Sequence, residues 1–175
     1  MKIRRILLGV LATIALVAGI WTVNGTATAS DRPGRFVVKG DVQHRLKLRA
    51  ADLAVLPQQS LQVTFQAGTS TQTHTYTGPL LLDVLNLAVP QFDPTIKNDK
   101  LRHYVAVRGS DGYEVVAAWG EFDPGFEGKK MLLATTEDGV SLADAGPRLV
   151  VPGDARGGRY VTNVVTVQLA SSTHE

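Results

Sequence analysis

The chain has 175 residues, 18 basic and 16 acidic side chains, a formal net charge of +2 and no cysteine. The absence of cysteine excludes disulfides, thiol nucleophiles and thiolate metal ligands. Lys2, Arg4 and Arg5 lie ahead of an apolar stretch, so without them 15 basic residues stand against 16 acidic ones, and the electrostatic motive for binding nucleic acid disappears.

Residues 1–29 read as a targeting segment. A basic start, an apolar run from Ile6 to Val23 and Ala27-Thr-Ala29 have the form of a secretory signal peptide. The apolar run is also long enough for a retained membrane anchor, which needs about 17–25 residues. In either case the rest of the chain is expected in the periplasm or secreted, with membrane contact only through an uncleaved N-terminus. Residues 30–35 form a short linker, residues 36–169 one domain, and residues 170–175 a tail. A domain of this size buries roughly 68–70% of its unfolded surface, enough to stand without covalent staples.

Within the domain, Arg35 to Lys39 reads as a strand. Val42, His44, Leu46 and Leu48 alternate with polar residues, which predicts a half-buried strand. Ala50 to Leu56 is a short helix ended by Pro57. Leu61, Val63 and Phe65 alternate in the next strand, and Thr71 to Thr77 returns as its hairpin partner across a four- to five-residue connection. Gly78-Pro79 opens a helix with proline at its first position and Leu80, Leu81, Val84, Leu85 and Leu87 on its apolar face. Val89 to Lys100 is a loop. His103, Val105 and Val107 share one face of a strand, Gly109-Ser-Asp-Gly112 is a turn, and Tyr113 to Ala117 is the returning strand. Trp119 to Lys129 is irregular, Met131 to Ala134 a buried strand, and Arg148–Val151 and Tyr160–Leu169 the last strands. No βαβ alternation is present. The pattern predicts an α+β domain, mainly antiparallel and mixed sheet with a few short helices.

Standard catalytic signatures are missing. No G-x-S-x-G elbow occurs, and Gly109-Ser-Asp-Gly112 suits a hairpin turn better than a nucleophile. His44, His74 and His103 stand singly on predicted strands, without the paired spacing of a metal site. The pairs Asp111/Glu114, Glu121/Asp123 and Glu137/Asp138 lie in or beside turns and read as solvated acids. The basic loop is more informative. Arg148, Arg156 and Arg159 flank Pro152 to Gly158, where Gly157 and Gly158 let backbone N–H groups gather around an anion. Two or three guanidinium groups there would grip a phosphate or carboxylate, or else pair with Asp154 and Asp144. Trp119, Phe122 and Phe126 suit a contact surface for an envelope protein partner or plain core.

Taken in order, Leu53-Ala-Val-Leu-Pro57, Tyr76-Thr-Gly-Pro-Leu80, Gly109-Ser-Asp-Gly-Tyr113, Glu137-Asp-Gly-Val-Ser-Leu142 and Gly146-Pro-Arg-Leu-Val-Val-Pro-Gly153 resemble the oxidoreductase molybdopterin-binding domain of the sulfite-oxidase type. The resemblance implies that fold, and molybdopterin as the family's cofactor. It places a metal-ligating cysteine at the turn that reads Phe65-Gln-Ala-Gly68 here, so no metal ligand is assigned. It also implies a phosphate cradle from Arg148, Arg156, Gly157, Gly158 and Arg159, with Thr162 where a lysine is expected. Gln66, Ala67, Gly68, Tyr113 and Trp119 would line the ligand pocket. Three uses follow from the resemblance. One is a non-catalytic member holding a small anionic or pterin-like ligand. The others are an oxidoreductase with a non-cysteine metal site, and an envelope interaction or sensory accessory protein.

Overall fold

A computed structural model describes residues 34–172; the expected signal or anchor segment lies outside the described residues. Eleven strands are described: β1 (Arg35–Gly40), β2 (Leu46–Arg49), β3 (Gln59–Ala67), β4 (Ser70–Gly78), β5 (His103–Gly109), β6 (Glu114–Ala118), β7 (Leu132–Ala134), β8 (Thr136–Glu137), β9 (Val140–Ser141), β10 (Arg148–Val150) and β11 (Val164–Ser171). Two short α-helices accompany them, α1 (Leu81–Leu87) and α2 (Trp119–Phe122), with single 3₁₀ turns at Ala50–Val55, Asp99–Arg102 and Gly157–Arg159. The architecture is mostly β with few short helices, as the α+β expectation requires.

The strands make a five-stranded mixed sheet in the order β2-β1-β11-β5-β6, a four-stranded antiparallel sheet β3-β4-β8-β9, and the pair β10-β7. β1 and β11 pair in parallel, with Val37 opposite Thr166 and Leu169 opposite Gly40. The first and last strands of the domain therefore lie side by side.

Side-chain alternation explains which faces are buried. His103, Val105 and Val107 point inward from β5, as their spacing requires. Val105 and Val107 join Phe36, Val38, Val167 and Leu169 in a large core that α1 covers with Leu81, Val84 and Leu85. A smaller core gathers Val63, Phe65, Tyr76, Leu132, Ala134, Val150 and Tyr160. β7 separates the two. Leu133 faces the large core while Leu132 and Ala134 face the small one, so the strand reads as an unbroken apolar run.

Several local expectations are corrected. His44 is not in a strand: only Leu46–Arg49 pairs with β1. The preceding residues are drawn to the end of α1, where Gln43 N–H donates to Val89 O and His44 N–H to Ala88 O, each at 2.9 Å. The β3–β4 hairpin turns in two residues, since Ala67 pairs directly with Ser70. Gly68 supplies φ +61° at the first turn position, which a type II′ turn reserves for glycine. Pro79 does not start α1. Leu80 stays extended and bridges Leu132, so the helix begins at Leu81, two residues later than expected, and Leu87 falls on its outer side. Tyr160 precedes rather than begins the last strand, which starts at Val164 and runs on to Ser171.

At Gly78 the backbone of β4 lies directly against that of β7. A Cβ there would lie 2.4 Å from Leu133 O and 2.6 Å from Ala134 Cα, both backbone. Gly78→Ala should therefore destabilise the domain by about 1–3 kcal/mol in chemical denaturation; an unchanged midpoint would mean that β4 and β7 are less tightly docked.

Candidate functional site

The site is assembled around residues 151–160, which leave β10 and return through a 3₁₀ turn at Gly157–Arg159. This loop lies along the end of β3. Gln66 N–H donates to Ala155 O at 2.9 Å, and Gln66 and Arg156 form a parallel bridge. Gly157 sits on the Phe65 ring, where a Cβ would be 2.8 Å from two ring carbons. Phe65 in turn stacks on Tyr160, with ring centroids 4.3 Å apart. From the β5–β6 hairpin, Tyr113 donates its hydroxyl to Gly158 O at 2.7 Å.

Seven of the residues picked out by sequence thus share one neighbourhood: Gln66, Ala67, Tyr113, Arg156, Gly157, Gly158 and Arg159. Arg148 comes from β10 and joins them only by way of Tyr76: its guanidinium lies over that ring, whose centroid is 6.2 Å from the Tyr160 ring. Gly68 marks the outer tip of the hairpin, with open space around it. Trp119 does not join them. It is 4% exposed, donates Nε1–H to Asp123 at 2.6 Å, and packs edge-on against Phe92 and Phe122. Its place is the large core. Phe122 is buried beside it, and Phe126 alone of the aromatic trio is exposed, with Lys100 Nζ 5.1 Å above its ring.

The arginines differ sharply in what they hold. Arg159 is clamped on both sides. Its Nε and Nη2 donate to the two Asp154 oxygens at 2.8 Å each, and Nη1 donates to Glu121 Oε2 at 2.8 Å. The Asp154 hydrogen bonds, against the pull of partial burial and with help from Glu121, hold this guanidinium firmly protonated. Arg148 donates Nη1–H to both oxygens of Glu137, at 3.0 and 2.8 Å, and its guanidinium lies 5.4 Å over the Tyr76 ring. Glu137 also accepts the Tyr76 hydroxyl at 2.9 Å. Next to it, His74 Nδ1 lies 2.7 Å from Asp138 Oδ2. Arg156 is exposed at the loop's outer edge. Asp154 was legible as an arginine partner from its nearness in sequence. Asp144 is replaced in that role by Glu121 and Glu137.

Two buried polar atoms here have no hydrogen-bond partner among the described residues: Arg148 Nε and Tyr160 Oη. Burial first, then the negative charge of Asp154, pushes the Tyr160 hydroxyl up to about 12. It therefore remains a neutral O–H donor at any ordinary pH. Tyr160 was missed by sequence reading because its β-branched neighbours made it look like a strand residue.

Molybdopterin can be tested against these groups. The chain has no thiolate, and the turn that would carry one presents Gln66, whose neutral amide is a poor donor for a high-valent metal. Phe65 occupies the space beside Gly157, and the best-placed cradle arginine is already saturated by two carboxylates. The residues present do not fit the metal-bearing cofactor.

Comparison with known proteins supports the architecture alone. No family model matches the sequence, and no curated protein does so either. The structure is similar to the crystal structure of the sulfane dehydrogenase SoxCD from Paracoccus pantotrophus. The TM-score is 0.64 at 18% sequence identity, over 83% of this chain and 39% of that one. The chain thus spans about two fifths of that protein's chain. The likeness shows a distant fold relationship to an oxidoreductase component.

The unequal commitments of the arginines have a measurable consequence. Arg159→Ala should lower stability by about 1–2 kcal/mol, because two half-buried carboxylates lose their shared partner. Arg156→Ala should change it by no more than about 0.5 kcal/mol. Equal effects in urea denaturation would contradict the clamp.

Proposed function

We propose that this protein is a non-catalytic, exported member of the sulfite-oxidase-type fold that binds a small anionic or pterin-like ligand behind the 151–160 loop. The observation that carries the reading is the pair of orphaned donors. Arg148 Nε–H and Tyr160 O–H are both enclosed, and neither has an acceptor among the described residues. Buried polar groups are hydrogen-bonded in the great majority of proteins, and leaving one unmatched costs about 1–3 kcal/mol. Two donors without acceptors call for an oxygen-rich partner such as a carboxylate, a phosphate or the carbonyl edge of a pterin. Arg156, at the loop's outer edge, adds a charge that attracts an anion toward it.

The loop has the composition to admit such a ligand. Gly153, Gly157 and Gly158 lie within it, and Gly153 and Gly158 have open space where a side chain would stand. Catalysis is disfavoured by the same residues. The guanidinium that would stabilise charge on a substrate is neutralised by Asp154 and Glu121, and no side chain at the turn offers a strong anionic ligand to a metal. Export rests on the N-terminal sequence pattern.

Expressed in a host that makes molybdenum cofactor, the complete chain should carry far less than one molybdenum per molecule. Pterin-6-carboxylate should bind saturably in calorimetry. Tyr160→Phe should weaken that binding about tenfold, while leaving the unliganded protein as stable or slightly more so. Stoichiometric molybdenum, or affinity indifferent to Tyr160→Phe, would overturn the reading.

A further inference from the structure

The opposite end of the five-stranded sheet carries a second cluster that the arginine loop does not use. There β1 ends at Gly40, β5 begins at His103, and residues 91–99 fold over the strand ends. They enclose an open cavity of about 590 Å³, within the ~300–1,000 Å³ range of small-ligand sites. Its titratable lining comes from Asp41, Asp93, Asp99, Arg102 and His103, with Phe92 as an aromatic wall. Three carboxylates face one guanidinium, so the cavity favours a cation.

His103 is the informative residue. It is 6% exposed, and its Nδ1 lies 3.0 Å from the backbone oxygen of Asp99. A carbonyl oxygen only accepts, so Nδ1 carries a proton, which in a neutral imidazole makes Nε2 the acceptor. Nε2 faces Asp41 Oδ2 at 3.6 Å, too far for a hydrogen bond. Two acceptors thus confront each other at the cavity wall. One group with two N–H donors, placed beside both, would satisfy them.

The surroundings hold this arrangement in place. Phe92 stands edge-on to the His103 ring, at 5.0 Å and 85°, and is itself braced by Trp119 at 4.8 Å. Asp99 is 8% exposed; it accepts Asp93 N–H at 2.9 Å and lies 3.5 Å from Arg102 Nη1. Asp93 in turn accepts the Thr95 N–H and O–H at 2.8 and 2.6 Å. Asp41 is thereby left as the open carboxylate, 45% exposed. Among the described residues no three His, Asp or Glu side chains converge as a metal ion requires. An organic ammonium suits two acceptors and an aromatic wall better than a point charge does.

We propose that this cavity binds a small primary ammonium compound, with N–H groups bridging His103 Nε2 and Asp41 and an apolar part against Phe92, Val42 and Ile96. The probe is benzylammonium chloride, titrated into the ¹⁵N-labelled complete chain and followed at the His103 ring and the Gly40–Val42 amides. Saturable shifts are expected with benzylammonium and not with benzoate or benzyl alcohol. Asp41→Asn, a change at an exposed site, should weaken binding about tenfold or more. Silence at His103 up to about 20 mM benzylammonium, a limit set by weak binding, would overturn the proposal. So would an equal response to benzoate, or an affinity unchanged by Asp41→Asn. The comparison of benzylammonium with benzoate is made on the unmodified protein and does not depend on the variant folding.

Discussion

Arg159 joins three parts of the chain that have little else in common. Its guanidinium ties Asp154, early in the loop, to the loop's own 3₁₀ turn, and ties both to Glu121 on α2. Glu121 in turn accepts the Ala118 N–H at the start of that helix. The loop that follows β10 is therefore fixed against the five-stranded sheet through α2 and against the hairpin through Gln66 and Phe65. Charge-assisted hydrogen bonds in bidentate geometry are the strong class of such contacts, and partial burial screens them less than a surface pair. What makes the loop rigid also removes its main positive charge from the reach of a ligand.

That trade sets the character of the site. A cradle whose arginine is saturated from within has little left for a multiply charged cofactor. What remains is smaller and points inward: the Nε edge of Arg148, whose Nη1 is held by Glu137 and whose face lies over Tyr76, and the hydroxyl of Tyr160. Both lie against the small core built by β3, β4 and β7, where water is excluded and an unmatched donor is costly. The distant fold relationship to a sulfane dehydrogenase component is thus compatible with a different use of the scaffold, since chemistry resides in the site and not in the fold.

Much of the architecture was legible where one face of an element is buried. β5 announced itself through His103, Val105 and Val107, and β7 through four consecutive apolar residues. The signal failed where backbone contacts overrode pattern. Val42 and His44 alternate like strand residues, yet hydrogen bonds to the end of α1 divert them. The members of the site were partly legible because arginine and glycine cluster in sequence. Their partners were not: Glu121 lies 38 residues from Arg159, and Glu137 lies 11 from Arg148 across a turn. Trp119 was misplaced because a Gly- and Pro-rich neighbourhood looks like a loop, while its indole is held in the core by Asp123 and two phenylalanines.

The claim that the carboxylates of the chain itself occupy the arginine cradle is open to one direct measurement. In the double variant Glu121→Gln/Asp154→Asn the Arg159 guanidinium is released while hydrogen-bonding shape is kept. Calorimetric titration with pterin-6-carboxylate should then show affinity at least about tenfold higher than in the unmodified protein, the gain expected from one freed charge-assisted contact. Affinity that stays the same or falls would contradict the account.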